Sequence, residues 1–462
     1  MEPGTTAALP TTVDPIPTWC GTLELGGGRP PSGPLRASDG RICEAARFLV
    51  RLHGEPLGSL SVPLPADGRP DASAVYRAAL DAFAGRIRIH LHGDGLEMVG
   101  ALGPDAVPAR TEVPACPYGV TDPTPVTVVV CTRNRAEAMR TCLEGLRALP
   151  HPRLEVVIVD NAPSDDATRR VFEETVGELE RFRYVREDAP GLSKARNRGL
   201  HAASHDIVAF TDDDVTVDSD WIAGLLRGFR AAEHVACVTG LVCTASLETI
   251  AEQYFDVRVD WGVSCAPRLY DLDQHRSADP LYPYSAGRFG TGANFAVRAS
   301  VMLALGGFDE ALGAGTPPAG GEDLDAFVRV VLAGRALAYE PSAIVWHSHR
   351  SDLAGLRKQM WGYGTGLTAY LAKHLADGRV RADVLRRVPR GLLRLARIGT
   401  ETRESYGSEQ TLPRGLVARE WAGMVVGPLR YAQARRLAGP APISRIGGTD
   451  PGGTLAANAP DA

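Results

Sequence analysis

Between residues 126 and 211 the chain repeats one unit four times, and this repetition limits the fold more than any other feature of the sequence. Residues 126–131 form a continuous apolar, strand-forming run, followed by a helical stretch over 136–149. Residues 154–159 repeat the run, and a helix is expected over about 165–179. A shorter strand at 182–185 precedes a helix at 193–203, and 206–211 form a fourth strand. Buried strands that alternate with helices belong to a mostly parallel sheet with helices on both faces. In such sheets ligands bind beyond the carboxyl ends of the strands. Three of the four runs end in residues capable of chemistry. These ends are Thr132-Arg133-Asn134-Arg135, Asp160-Asn161 and Asp212-Asp213-Asp214.

The rest of the chain is organised around this α/β region. A length of 462 residues allows about three domains. Residues 1–40 are rich in Pro, Gly and Thr and are expected to be loosely ordered, apart from a short strand at 18–25. Residues 41–117 read as a small α+β module: strands at 47–52 and 57–64, a turn at His53-Gly54-Glu55-Pro56, and a helix opened by Asp71. No chemistry is expected in residues 1–117. The main domain covers 124–350, a helical extension 351–438, and a disordered tail 440–462. Within the extension, 384–398 and 416–438 read as amphipathic, Arg-bearing helices divided or kinked at Pro389 and Pro428. The second has the composition of an interfacial membrane helix, and packing against the main domain is the other reading.

Composition narrows the function. A net charge of −5 excludes a nucleic-acid-coating role. The eight cysteines form no CxxC pair, which predicts reduced, buried thiols and neither a disulfide frame nor a zinc site. No leader is expected at the N-terminus, and the longest apolar stretches are too short to span a bilayer, so a cytoplasmic location follows, with peripheral contact on the inner membrane face through the C-terminal helices as an option. Only three basic residues are lysine: Lys194, Lys358 and Lys373.

The acid triplet is the strongest motif. Three adjacent carboxylates at a strand end repel one another and call for a cation or strong donors. Hard divalent ions such as Mg²⁺ or Mn²⁺ take such ligands and share them with phosphate. A calcium loop fails, because Val217 and Ala223 stand where its glycine and glutamate should be. The first strand end lacks GxGxxG, so the side chains of Thr132, Arg133 and Asn134 must meet any nucleotide. Asp160 and Asn161 are placed to bond a base or ribose. Lys194, Arg196 and Arg198 gather at a helix start, which favours an anion. Gly292 allows close approach of a ligand, and Asn294 could bond a hydroxyl. Glu322 and Asp323 follow two glycines at a helix start, which suits a general base at a cleft. His347 follows a strand and could complete a metal site.

Together these segments resemble the inverting, metal-dependent family 2 glycosyltransferases of GT-A fold, over about residues 124–376. The resemblance implies transfer of a sugar from a nucleotide-diphosphate sugar to an acceptor hydroxyl on a glycan, a lipid-linked carrier or a small molecule. It implies that Thr132, Arg133, Asp160 and Lys194 hold the nucleotide, that Asp212 contacts the ribose, and that Asp214 binds Mn²⁺ or Mg²⁺. His347 or His349 would be a second metal ligand, and Asp323 the general base with Glu322 beside it. A sugar-nucleotide nucleotidyltransferase and a non-catalytic nucleotide-sugar-binding protein are the alternatives.

Overall fold

The computed structural model describes residues 16–96, 107–113, 116–120, 122–259, 264–391, 393 and 415–442. The front module holds β1 (Thr18–Glu24), β2 (Ala45–Leu52), β3 (Glu55–Pro63) and α1 (Ala72–Gly93). Asp71 caps α1 as its sequence suggests: its carboxylate accepts from the Ser73 and Ala74 amides. α1 buries Val75, Ala79, Leu80, Ile87 and Leu91 in one core with Phe48, Val50 and Leu52 of β2. Before residue 41, a strand stands where one is expected at 18–25. This segment supplies β1 and the buried Leu23, Leu25, Leu35 and Ala37, while residues 1–15 lie outside the described residues.

The main domain follows the predicted alternation. β4 (Val126–Thr132), α2 (Ala136–Arg147), β5 (Leu154–Asn161), α3 (Ala167–Val176), β6 (Phe182–Glu187), α4 (Leu192–Ala202) and β7 (Ile207–Asp212) appear in order. The four strands are parallel, in the order β7-β4-β5-β6. Their register sets Thr132 beside Asp160 and Cys131 beside Asp212. The polar strand ends therefore align along one edge.

The chain continues through β8 (Val215–Val217), α5 (Trp221–Phe229), β9 (Val235–Thr244), β10 (Ser246–Leu247), α6 (Ile250–Val259), β11 (Arg268–Tyr270), β12 (Asn294–Arg298), α7 (Ala299–Ala304), α8 (Glu322–Leu332), β13 (Ala336–His347) and α9 (Leu353–Ala376). Here the sheet becomes mixed. β12 runs antiparallel between β7 and β9, and β13 lies parallel to β9. The short β8 pairs antiparallel with the end of β13, with Val215 opposite His347. That pairing carries His347 to the acid triplet.

The front module is bound to the main domain by more than a linker. β10 pairs antiparallel with β1, so a strand of the main domain completes the front sheet. Buried Arg51 of β2 reaches Asp218 at 2.7 Å and Asp220 at 3.2 Å.

After α9 come helical turns over 381–391 (α10) and α11 (Leu416–Arg435). α9 and α11 cross at glycines. A Cβ on Gly364 would stand 2.0 Å from the Glu420 carbonyl oxygen, and one on Gly423 2.6 Å from that of Trp361. α11 is not divided at Pro428. Proline has no N–H for the Met424 carbonyl, but the Thr368 hydroxyl donates to that carbonyl at 2.8 Å. Of the two readings of this helix, packing against the main domain is the one seen. Trp421, Val425 and Leu429 face outward. No described helix is long and apolar enough to cross a membrane.

A buried ion network fixes the start of α8. Asp325, fully buried, meets Arg329 at 2.8 Å, Lys373 of α9 at 2.7 Å and His374 at 3.3 Å. Lys373 also lies 3.4 Å from Asp309, which Arg435 of α11 reaches at 2.6 Å. Burial opposes ionisation of Asp325, yet Lys373 and Arg329 outweigh it and hold the carboxyl well below its usual range. Breaking such a network costs roughly 3–5 kcal/mol.

Candidate functional site

A cleft of about 1230 Å³ opens over the polar strand ends. One wall carries the acid triplet, at the end of β7 and in the turn to β8. Its three members face different ways. Asp213 is buried and turned back into the protein, where it accepts from the Thr132 hydroxyl at 2.6 Å and pairs with Arg135. Asp212 and Asp214 converge with His347, their ligating atoms all within 4.8 Å of one another. Nε2 of His347 lies 3.5 Å from Asp214, while its Nδ1 lies 3.2 Å from Nδ1 of His349. His349 in turn reaches the Thr244 hydroxyl at 3.1 Å. Of the two histidines, His347 is the one that adjoins the acids, and His349 stands behind it.

The electrostatics follow from this geometry. Burial at the cleft floor, reinforced by Asp214 and Asp213 and opposed by Arg196, pushes Asp212 up to about 7. Burial likewise raises Asp213 to about 6 against the pull of Arg135. Burial also acts on Asp214, but His347, Arg135 and Arg350 outweigh it and hold that carboxyl below its usual range. Burial lowers His347, with Asp214 acting against it and Arg350 and Arg135 adding to the fall. One carboxylate that is costly to ionise, a second that is held charged and a neighbouring imidazole suit a divalent cation with oxygen and nitrogen ligands.

The other wall is the start of α8. Glu322 is buried and accepts from Arg196 at 2.8 Å; burial and Asp323 push it up to about 7. Asp323 is less buried and accepts from the Gly292 amide at 2.7 Å and the Leu324 amide at 2.8 Å. Gly292 permits this arrangement. A Cβ there would lie 2.9 Å from both the Asp323 carboxylate and the Arg196 guanidinium. Arg196 joins the two walls, since it also donates to the Gly292 carbonyl at 3.0 Å and stands 3.6 Å from Asp212.

Several expected site residues take other places. Asn294 does not line the cleft. It accepts from the Trp221 indole at 2.8 Å and donates to the Leu241 and Ala343 carbonyls at 2.9 and 2.8 Å, so its hydrogen-bonding capacity holds β12 to its neighbours and a hydroxyl contact is not supported. Asn134, at a φ of +55°, accepts from the Ser164 amide at 2.9 Å and shapes the loop after β5. Asn161 lines the cleft but is occupied, accepting from the Gly191 amide at 2.9 Å and donating to the Ala189 carbonyl at 2.8 Å. The expected basic cluster on α4 does not form an anion site. Arg196 is buried and paired, Arg198 is exposed, and the Leu192 amide is taken by the Ala314 carbonyl at 2.9 Å. Lys194, half-buried in the first turn, is not among the cleft-lining residues. Asp160 is buried, held by the Tyr184 hydroxyl at 2.7 Å on one oxygen, while the other has no hydrogen-bond partner. Thr132 and the exposed Arg133 do line the cleft. Of the cations that balance Asp213 and Asp214, the sequence marks Arg135 as part of the first strand end without a role and gives no sign of Arg350. Arg350 lies 3.6 Å from Asp214. The arginine repeated within Thr132–Arg135 was the available signal for the first.

A parallel sheet extended by an antiparallel strand, with an Asp-x-Asp turn over its open edge, defines a GT-A-type domain. The comparisons agree: a model described as glycosyltransferase like family 2 matches residues 123–364, just over half of the chain, and the chain belongs to that family. The chain is 29% identical over 279 residues to the pre-mycofactocin glycosyltransferase of Mycobacterium tuberculosis, covering 59% of this chain and 54% of that protein. The match thus spans about half the length of that relative. With the succinoglycan biosynthesis protein ExoM of Rhizobium meliloti it shares 31% identity over 247 residues, 52% of this chain and 72% of the other. Among solved structures, a mannosyltransferase from Pyrobaculum calidifontis in complex with GDP-Man and Mn²⁺ aligns with 68% of this chain and 88% of its own. Its identity is 20% and its TM-score 0.44.

Proposed function

We propose that the chain transfers a sugar from a nucleoside-diphosphate sugar to an acceptor hydroxyl, inverting the anomeric carbon in a single displacement. One observation carries this reading. A single cleft holds two converging acids with a histidine on one wall and a more accessible carboxylate, Asp323, on the other. The membership in family 2 supports it.

In this reading Asp323 takes the proton from the acceptor hydroxyl as that oxygen attacks. Its two amide donors, Gly292 and Leu324, fix the carboxylate without neutralising it. General base catalysis of this kind is worth about 10²–10⁴-fold. Arg196 positions the wall by holding Glu322 and the Gly292 carbonyl. Asp212, Asp214 and His347 would hold Mn²⁺ or Mg²⁺, which when bound supplies positive charge for the departing diphosphate. Thr132 and Arg133 would meet the nucleotide. Asp160, wholly buried and outside the cleft lining, would have to be uncovered for its unpartnered oxygen to accept from the base or ribose. The acceptor would be a glycan, a lipid-linked carrier or a small molecule.

A thermal-shift screen of nucleotide sugars, each with and without Mn²⁺, tests the donor side. A true donor should raise Tm, and more so with Mn²⁺, because ligand binding stabilises the folded state. If no nucleotide sugar shifts Tm under either condition, the reading fails.

A further inference from the structure

The front module contains a second group of side chains able to hold a metal, and none of them lines the cleft. His53 lies in the turn between β2 and β3, His90 in the last turn of α1, Asp94 just beyond it, and Cys116 on the segment leading towards β4. Their ligating atoms all lie within 4.8 Å of one another. All four side chains are shut away from solvent: Asp94 is 2% exposed, His90 3%, and His53 and Cys116 none at all.

The hydrogen bonds around the group fix where its protons are. Nε2 of His53 faces the Pro108 carbonyl at 3.0 Å, which can only accept, so that nitrogen carries a hydrogen. Nδ1 of His90 faces the Glu55 carboxylate at 2.5 Å and carries one for the same reason. Glu55 is itself steadied by Arg86 at 3.5 Å. The inward nitrogens, Nδ1 of His53 and Nε2 of His90, are therefore lone pairs in the neutral rings. They stand 3.0 Å apart, and each is 3.1 Å from the same Asp94 oxygen. Cys116 Sγ adds a fourth atom, 3.5 Å from Nε2 of His90. Three acceptors thus meet around one point with at most one thiol proton between them. Such a set needs a positive charge at its centre.

We propose that His53, His90, Asp94 and Cys116 form a structural zinc site. Two imidazoles, a thiolate and a carboxylate are zinc ligands, and four protein ligands with no open position are the mark of a structural site. Tetrahedral bonds of about 2.0–2.3 Å put neighbouring ligand atoms about 3.3–3.7 Å apart. Four of the six pairs here stand 3.0–3.5 Å apart and need only a small expansion, and the two others, from Cys116 to His53 and to Asp94, lie within 4.8 Å. The outer contacts match as well: each histidine gives its other N–H to a carbonyl or a carboxylate, the arrangement that orients a metal-bound ring.

Two further features fit. His53 adopts a φ of +55°, which a β-turn commonly reserves for Gly, Asn or Asp. The turn is held there by the Glu24 carboxylate, which accepts from the His53 amide at 2.6 Å and the Gly54 amide at 3.2 Å. Tyr118 stacks on His90, ring centres 5.6 Å apart, and Arg227 of α5 covers Tyr118 at 4.2 Å. The ion would therefore tie the β2–β3 turn, the end of α1 and the connecting segment together, against a helix of the main domain.

The test is metal analysis of the full chain purified after growth with zinc, with the protein measured in parallel. We expect about one zinc per chain, retained through dialysis that removes Mn²⁺. Cys116→Ser and His90→Ala should each lose it, whereas Asp214→Asn should keep it. Zinc X-ray absorption of the unaltered chain should show one sulfur and three nitrogen or oxygen neighbours, a readout that stands even if a variant does not fold. A folded chain free of zinc, a zinc shell without sulfur, or zinc retained by both front-module variants would overturn the proposal.

Discussion

Among the described residues, side chains able to hold a metal gather in two places, and the two differ in what encloses them. At the cleft, Asp212, Asp214 and His347 form three corners of a site whose remaining side faces open space. Asp212 keeps 32% of its side chain accessible. In the front module four ligands close on one another, with Tyr118 stacked over them. Open coordination leaves room for a substrate oxygen, and closed coordination leaves none. The ligand sets differ in the same sense. Carboxylates predominate where an exchangeable hard cation is expected; imidazoles and a thiolate predominate where the ion would be permanent.

The sharpest way to break this comparison is Asp214→Asn. Loss of a cation ligand at the open site should lower transfer by about 10³-fold or more, with Tm nearly unchanged, measured as initial rate at saturating Mn²⁺. Unaltered turnover would remove the acid pair from the mechanism. Asp323→Asn keeps the size of the side chain and removes the base. It should cost about 10²–10³-fold in kcat, with little change in the response of nucleotide binding to Mn²⁺. A variant that instead loses that response would place Asp323 at the metal. Gly292→Ala should have a smaller effect, roughly 10–10²-fold, because the added carbon displaces Asp323 and Arg196 without removing either. Full activity with an intact Tm would show that this wall yields freely. Least of all should change at the closed site. Cys116→Ser should leave the rate of the folded protein within about two-fold and lower Tm by on the order of 10 °C, the scale of a tightly bound ion. A large loss of rate at unchanged Tm would make the front group part of the catalytic machinery and dissolve the distinction.

Much of the cleft could be read from the sequence because its residues end strands or begin helices that local pattern reveals. Runs 126–131, 154–159 and 206–211 are apolar on both faces, and the parallel register aligns whatever polar residues follow them. Asp212, Asp214 and Asp323, which line the cleft, are picked out in this way. The partners of those residues were less accessible. Arg350 neutralises Asp214 only after β8 and β13 have paired, and no spacing rule announces that contact. Asn294 misled for a related reason. An asparagine between glycines and a β run offers the same donors to a sugar or to a neighbouring strand, and only the positions of Leu241 and Ala343 decide between them. The front-module group was invisible because its members lie between residues 53 and 116 without the close pairing of a zinc motif. The chain looked free of chemistry there because the turn, helix and connecting segment that carry the four ligands are each ordinary by themselves.

The placement of β10 has a consequence for the order in which the protein is made. β1 leaves the ribosome well before its edge partner, Ser246–Leu247, which is synthesised only after β4 to β9 have emerged. The front sheet therefore cannot close before β10 exists, however early its own strands form. Arg51 must likewise wait for Asp218 and Asp220. Such long sequence separations are slow to bridge. β1 is in this sense among the last strands to reach its final neighbours, and a fragment that ends before Ser246 would present an unpaired strand edge to the cell.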